Sequence, residues 1–134
     1  MNSKPHILLV DDEANFRFSA ALALRKAGYA VTEAADGSEA LSFVVGARFR
    51  KVDSFALILT DMRMPRMSGM ELIDGLRGYG IDTPVLVLSG FADRQMIEKL
   101  KGMGLSDVLE KPFEPEALVR HVGGILGKSA EAMA

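Results

Sequence analysis

The chain has 134 residues, a formal net charge of −2 and 49% hydrophobic residues, and its length corresponds to one domain. The weak charge argues against a general surface for nucleic acid or anionic lipid, and the apolar runs are too short to span a membrane. The absence of cysteine excludes disulfides, a thiol nucleophile and a zinc–thiolate site, and we expect a cytoplasmic protein without an export signal.

Five short apolar segments are predicted as strands: residues 7–10, 30–32, 55–59, 85–88 and 107–110. The first segment shows no alternation of apolar and polar residues, which is typical of a strand that is covered on both faces. The second segment is short and mixed in composition, as expected for a strand at the edge of a sheet.

Helical patterns follow each of these strands, with apolar side chains recurring every three or four residues. The helices are predicted at residues 15–27, 39–47, 70–78, 92–103 and 115–126. Gly28 is a natural stop for the first helix, and Pro115 suits the first turn of the last one. We expect residues 128–134 to form a C-terminal tail that frays.

The strict alternation of strands and helices indicates a single α/β domain over residues 4–127. Right-handed crossovers between parallel strands leave few topologies. We therefore predict the flavodoxin-like (βα)5 fold, a doubly wound parallel sheet with strand order 2-1-3-4-5. In that order the first and third strands are neighbours, and the switch point of the sheet lies between them.

Four of the predicted strands lead directly into side chains that can carry chemistry: Asp11 and Asp12, Asp61, Ser89, and Lys111. Open α/β sheets bind their ligands at the carboxyl ends of the strands. The predicted topology would therefore bring three carboxylates, a hydroxyl group and an ammonium group to one edge. Each residue alone also has an ordinary explanation as a helix cap or a surface charge, but their joint position favours a functional site.

The three carboxylates indicate a metal site. Close carboxylates repel one another, and Lys111 offsets only one of the three charges, so a divalent cation is needed. Mg²⁺ prefers oxygen ligands and retains several waters. We expect Asp12 and Asp61 to be direct ligands, Asp11 to hold a metal-bound water, and the main-chain carbonyl of Arg63 to supply a further ligand.

Asp61 is the candidate nucleophile, because a carboxylate can accept a phosphoryl group and form an acyl phosphate. Phosphoryl transfer requires mainly in-line positioning and neutralisation of charge. Lys111 would supply a mobile positive charge for a phosphoryl oxygen, and Ser89 would supply a hydroxyl donor. The sequence thus predicts magnesium-dependent phosphoryl transfer to Asp61.

At these residues the chain resembles the receiver domain of two-component response regulators. The resemblance is carried by five segments, which are residues 7–13 (ILLVDDE), 28–31 (GYAV), 35–41 (ADGSEAL), 61–69 (DMRMPRMSG) and 111–113 (KPF). It implies that Asp61 accepts a phosphoryl group from a sensor histidine kinase or a phosphotransfer protein, with Mg²⁺ bound. It also implies a cis Lys111–Pro112 bond and control of an output domain or a downstream protein.

The chain departs from the family pattern at two places. Val108 stands where the resemblance implies an aromatic residue that moves inward when the site is phosphorylated. Signal readout through the fourth helix, fifth strand and fifth helix is therefore expected to differ. The segment at residues 47–54 is longer than the pattern requires, and we interpret it as a surface insertion.

Two other functions are consistent with parts of the sequence. A phosphorylation-independent interaction module would keep the fold, and Val108 favours it, whereas the intact acidic set argues against it. A phosphatase resembling the haloacid dehalogenase family would carry a second acid two residues after the nucleophile, where this chain has Arg63. We expect no metabolic enzyme activity beyond self-catalysed phosphorylation and slow hydrolysis, no direct nucleic-acid binding, and a monomer or weak homodimer.

Overall fold

The computed structural model describes residues 4–50, 55–90, 94–105 and 107–133. Over these residues strands and helices alternate in the order β1 (His6–Val10), α1 (Ala14–Lys26), β2 (Ala30–Ala34), α2 (Gly37–Arg50), β3 (Leu57–Asp61), α3 (Gly69–Gly78), β4 (Val85–Ser89), α4 (Arg94–Gly102), β5 (Val108–Glu110) and α5 (Pro115–Met133). Among the helices described, none has the length and apolar character needed to cross a membrane.

The strands form one parallel sheet in the order β2-β1-β3-β4-β5, which confirms the predicted topology. Val10 lies opposite Thr60, and Asp61 lies opposite Leu88. Because the three central strands are in register, their carboxyl ends stop at nearly the same level. The loops that follow β1, β3 and β4 therefore begin side by side.

The sheet separates two hydrophobic cores. Alternate residues of β1 point to opposite faces, with Leu8 and Val10 in one core and Ile7 and Leu9 in the other. The first core, here called the α2–α4 core, includes Val44, Leu72, Ile73, Leu76 and Leu100. The second, the α1–α5 core, includes Ala20, Ala21, Leu24, Leu118 and Val122. Full burial of each leucine or isoleucine contributes about 1.5–3 kcal/mol.

Each helix except the last returns the chain to the amino edge of the sheet, and both tyrosines lie on these returns. Tyr29 stands between α1 and β2 and packs against the α1–α5 core. Tyr79 is the C-cap of α3 and is exposed. The amino edge thus holds the aromatic hydroxyl groups, whereas the acidic residues singled out above follow the opposite ends of the strands.

Two helices are longer than the sequence predicted. α2 begins at Gly37 rather than at residue 39, because the Asp36 carboxylate accepts a hydrogen bond from the Glu39 backbone N–H and caps the first turn. α5 continues to Met133, so residues 128–133 prolong the helix and the predicted end at 126 is wrong. Lys, Ala, Glu and Met in this stretch are good helix formers. Of the predicted insertion at 47–54, residues 51–54 lie outside the described residues.

Candidate functional site

Asp11 is held rigidly at the end of β1. Its side chain is fully buried, its backbone N–H donates to the Ala34 carbonyl at 3.1 Å, and its Oδ1 accepts from the Glu13 N–H at 2.9 Å. The Arg17 guanidinium, one turn into α1, donates to the Asp11 carbonyl at 2.7 Å. Both the backbone and the carboxylate of Asp11 are therefore fixed by neighbouring elements.

Asp61 ends β3 and presents its two carboxylate oxygens to different partners. Oδ1 accepts a hydrogen bond from the Met62 N–H at 2.7 Å, and Oδ2 faces the Lys111 ammonium at 3.2 Å. The Arg63 N–H lies 3.4 Å from Oδ1, so the loop backbone turns around this carboxylate. Asp61 is thus anchored at one oxygen while the other shares the site with a cation.

Asp11, Asp12 and Asp61 form an acidic cluster, in which one oxygen from each residue lies within 4.8 Å of the others. The donors are all oxygen atoms, and Asp12 is exposed, so the cluster is open to solvent on one side. Three carboxylates face a single ammonium group. This donor set fits a hard divalent cation such as Mg²⁺, which takes carboxylate ligands and keeps waters.

Lys111 follows β5 and reaches across the sheet edge to the acidic cluster. Its Nζ donates to Asp11 Oδ2 at 2.7 Å and to Asp61 Oδ2 at 3.2 Å. Partial burial by itself lowers the pKa of Lys111, but the hydrogen bond and charge of Asp11, followed by those of Asp61, outweigh it and raise the pKa. The ammonium is therefore charged at neutral pH, and it occupies one oxygen each of Asp11 and Asp61.

Ser89 lies at the same edge, at the buried end of β4. Its neighbour Leu88 is opposite Asp61 in the sheet register, and its own carbonyl accepts a hydrogen bond from the Lys111 N–H at 2.8 Å. The backbone thus brings Ser89 beside both the candidate nucleophile and the lysine. The Lys111–Pro112 peptide bond is cis, as the resemblance implies.

The structure brings Lys111 into direct contact with Asp11 and Asp61, groups Asp12 with these two acids, and places Ser89 at the same edge of the sheet. Arg63 is exposed, and its backbone N–H lies near Asp61; the role of its carbonyl as a metal ligand remains a prediction. Val108 is half-buried and packs against the α2–α4 core, opposite Val87. At the position where the resemblance implies an aromatic residue, the chain therefore has an aliphatic side chain packed against this core.

Sequence reasoning missed the ion pair between Asp36 and Arg66, which clamps the loop after β3. Asp36 Oδ2 accepts from Arg66 Nε at 2.9 Å and from Nη2 at 2.6 Å, while the Gly37 N–H donates to the Met67 carbonyl at 3.3 Å. Arg66 has a positive φ of 66°, a conformation that residues with a side chain rarely adopt. Neither the pairing nor the conformation leaves a signal in the sequence.

Gly69 is a second residue whose role only the structure reveals. It opens α3, where the Ser68 hydroxyl accepts from the Glu71 N–H and the Glu71 carboxylate accepts from the Ser68 N–H. A Cβ atom at Gly69 would lie 2.3 Å from the Asp61 carbonyl oxygen. Only glycine lets the start of α3 approach the end of β3 this closely. Gly69 belongs to the 61–69 segment that carries the family resemblance, but the sequence alone did not show why glycine is needed there.

Comparisons with known proteins agree with this architecture. A family model described as the response regulator receiver domain matches residues 7–123. The transcriptional regulatory protein FixJ of Bradyrhizobium diazoefficiens is 30% identical over 98% of this chain and 62% of its own length. Response regulator MprA of Mycobacterium tuberculosis is 38% identical over 96% of this chain and 55% of its own. This chain therefore spans somewhat over half the length of these curated relatives.

A solved structure gives the same result for the fold. The chemotaxis protein CheY4 of Vibrio cholerae superposes with a TM-score of 0.79 at 34% sequence identity. The match covers 90% of this chain and 97% of that one.

Proposed function

The chain belongs to the family of response regulator receiver domains of two-component systems, and we propose that Asp61 is its phosphoacceptor. The donor would be a sensor histidine kinase or a phosphotransfer protein that carries a phosphohistidine. The proposal rests on one observation above all. The Lys111 ammonium contacts both Asp11 and Asp61, so a cation stands beside the carboxylate that would receive the phosphoryl group.

In the proposed transfer an Asp61 carboxylate oxygen forms a bond to phosphorus as the bond between phosphorus and the histidine nitrogen breaks. The imidazole that leaves takes up a proton from solvent. Lys111 would then move from the Asp61 carboxylate to a phosphoryl oxygen, and Ser89 would donate its hydroxyl proton to another. Both groups stabilise the charge that spreads over these oxygens, which is the main requirement of this reaction.

The acidic cluster would hold Mg²⁺ directly through the carboxylates of Asp12 and Asp61 and the Arg63 carbonyl, with Asp11 holding a metal-bound water. When bound, the ion supplies the positive charge that lets a negatively charged donor approach three carboxylates. Three hydrogen bonds hold Asp11 in place, one donated to the Ala34 carbonyl and two accepted from the Glu13 N–H and the Arg17 guanidinium. They would keep the geometry of the site constant as the metal binds and dissociates.

The chain would act in signalling and not as a metabolic enzyme. It would catalyse its own phosphorylation and the slow hydrolysis of the acyl phosphate. The phosphoryl group would shift a two-state equilibrium that controls an output domain or a downstream protein. We propose a cytoplasmic location, a monomer or weak homodimer, and no direct contact of this domain with nucleic acid or membrane.

A phosphorylation-independent interaction module is not favoured. Such a module has no use for three close carboxylates and a lysine aimed at two of them, since this cluster of charges has an energetic cost unless a ligand is bound. A phosphatase reading is also not favoured, since Arg63 stands where a second acid is needed.

The test is phosphorylation by acetyl phosphate, followed by intact-protein mass spectrometry. The wild-type protein should gain one phosphoryl group with Mg²⁺ present, and chelation of the metal should prevent it. Asp61→Asn should gain none, while Asp74→Asn, a change in α3 away from the cluster, should behave as wild type. An adduct on Asp61→Asn, or equal labelling with and without metal, would contradict the proposal.

A further inference from the structure

A side chain outside the polar site also contacts its cation. Phe16, in the first turn of α1, holds its ring 4.1 Å from the Lys111 Nζ, measured to the ring centroid. We propose that Phe16 is a positioning residue, which keeps the Lys111 ammonium directed at the acidic cluster by a cation–π contact. This inference rests on the proposed phosphorylation of Asp61 and gives Lys111 a third, uncharged partner.

The ring is itself held in a defined orientation. Phe113 meets it edge to face, with ring centroids 5.5 Å apart and planes at 79°. Both rings are partly buried against the α1–α5 core. Because Lys111 and Phe113 come from the same short loop, that loop supplies both the cation and the ring that fixes its aromatic partner. The contact between the ammonium and the ring face therefore depends on two separate elements: α1 supplies Phe16, and the loop after β5 supplies Lys111 and Phe113.

The importance of this contact follows from what happens to the other two partners of Lys111. Both are carboxylates, and both change during the proposed reaction, since a metal ion would compete for Asp11 and phosphorylation would remove the negative charge of Asp61. The Phe16 ring neither binds metal nor accepts a phosphoryl group. Among the contacts described for the Lys111 ammonium, the contact with this ring can therefore persist through metal binding and phosphorylation.

Without a persistent contact, the lysine would have to reach its new partner, a phosphoryl oxygen, from a wider range of conformations. Lysine has a flexible four-carbon stem, and the rotamer entropy of a released side chain opposes its return to one position. The Lys111 side chain is only 18% exposed, so the ammonium at the ring is partly desolvated, which strengthens a cation–π contact. We expect the contact to contribute about three- to tenfold to the binding of a phosphoryl analogue.

An aliphatic residue would fill the same space without attracting the cation. The experiment therefore changes the electrostatics of the ring while keeping its size, by incorporating mono-, di- and trifluorinated phenylalanine at position 16. The probe is beryllium fluoride with Mg²⁺, which mimics a phosphoryl group on a carboxylate, and its affinity is measured by ¹⁹F NMR. Phe16→Tyr and Phe16→Leu serve as the conservative variant and the aliphatic variant.

The affinity should fall stepwise with fluorination, to about three- to tenfold below wild type, and Phe16→Leu should match the trifluorinated ring. Phe16→Tyr should stay close to wild type. Fluorination also alters the contact with Phe113, so the series is repeated in the Phe113→Leu variant. The affinity for beryllium fluoride should still fall with each added fluorine there. The inference would be overturned if the affinity did not change with fluorination, or if the change disappeared in Phe113→Leu.

A spectroscopic measurement tests persistence directly. The Lys111 ε-methylene protons should show an upfield ring-current shift in the free protein, and should keep it after Mg²⁺ and beryllium fluoride are added. Loss of the shift on adding the analogue would contradict the positioning role. If the unsubstituted protein forms no beryllium fluoride adduct, both the proposed function and this inference fail. If it forms the adduct but the affinity does not change with fluorination of residue 16, only the inference is contradicted.

Discussion

Asp36 and Arg66, which lie 30 residues apart, join the loop after β2 to the loop after β3. Two guanidinium nitrogens donate to the same carboxylate oxygen, while the other oxygen of Asp36 caps α2. The clamp lies close in sequence to Asp61, so the loop that carries Met62 and Arg63 is tied to a helix that takes no part in the chemistry. Several properties of the molecule should depend on it.

The first expected consequence is a pH dependence of stability. The Glu39 N–H, followed by Arg66, lowers the pKa of Asp36 below its usual value of 3.8. A carboxyl group whose pKa is lowered by folding contributes stability above its unfolded pKa, and this contribution is lost as the pH falls through the folded pKa. The Asp36→Asn variant should therefore be less stable than wild type at neutral pH, and the difference should shrink below about pH 4.

Urea unfolding followed by far-ultraviolet circular dichroism, at intervals from neutral to acidic pH, measures this difference. Asparagine keeps the helix cap through its carbonyl oxygen but loses the acceptor for Arg66, so the comparison reports the charge of Asp36 together with its pairing to Arg66. Stability curves of the two proteins that remain parallel down to acidic pH would show that the Asp36 charge contributes nothing.

The second prediction concerns the backbone of Arg66. At a φ of 66°, a side chain costs about 1–2 kcal/mol relative to glycine. Arg66→Ala keeps this cost and loses the ion pair, whereas Arg66→Gly loses the pair but relieves the backbone. Arg66→Gly should therefore be more stable than Arg66→Ala by about 1 kcal/mol in urea unfolding. Equal stability of the two variants would mean that the backbone at this position carries no strain.

The third prediction concerns the close approach of α3 to β3. In Gly69→Ala the new methyl group would displace the Asp61 carbonyl, so the free energy of unfolding should fall by about 1–3 kcal/mol. Mg²⁺ affinity, measured by calorimetry, should fall as well, because the Asp61 backbone has moved. Gly78→Ala is the matched control, since a Cβ atom there has open space. Normal Mg²⁺ binding by folded Gly69→Ala would show that Asp61 tolerates the shift.

The fourth prediction concerns the competition that we expect between Lys111 and a metal ion. Lys111→Met leaves the fully buried Asp11 without its ionic partner, which should cost about 3 kcal/mol in the absence of metal. Mg²⁺ should then raise the melting temperature of Lys111→Met more than that of wild type, because no ammonium has to be displaced. Asp12→Asn, a change at an exposed ligand, should lose most of this metal effect. An equal rise in wild type and Lys111→Met would argue against competition.

The parts of the molecule that were predictable are those set by periodicity and topology. The apolar run at 7–10 and its counterparts indicated the strands, and right-handed crossovers left few sheet orders, of which the predicted one brings Asp11, Asp61 and Lys111 together. These residues end strands, so their positions follow from the backbone alone. The length of α5 was missed because residues 128–134 were expected to fray, whereas the helix continues to Met133.

What was not predictable depends on the direction of side chains. Phe16 belongs to the apolar stripe of α1, and nothing in its spacing distinguishes a core residue from one that meets the Lys111 ammonium. Arg17 likewise looks like a solvated cation until its hydrogen bond to the Asp11 carbonyl is seen. Such contacts are decided by rotamers and packing between elements that are distant in sequence, which residue patterns do not encode.

The distribution of chromophores along the sheet determines how this protein can be observed. The chain has no tryptophan, and Tyr29 and Tyr79 lie where the strands begin. A five-residue strand is about 15 Å long, so both phenol rings are remote from the carboxylates where the strands stop. Tyrosine fluorescence will therefore change little when phosphate or magnesium binds, and an optical assay of this domain requires a dye attached near Asp61.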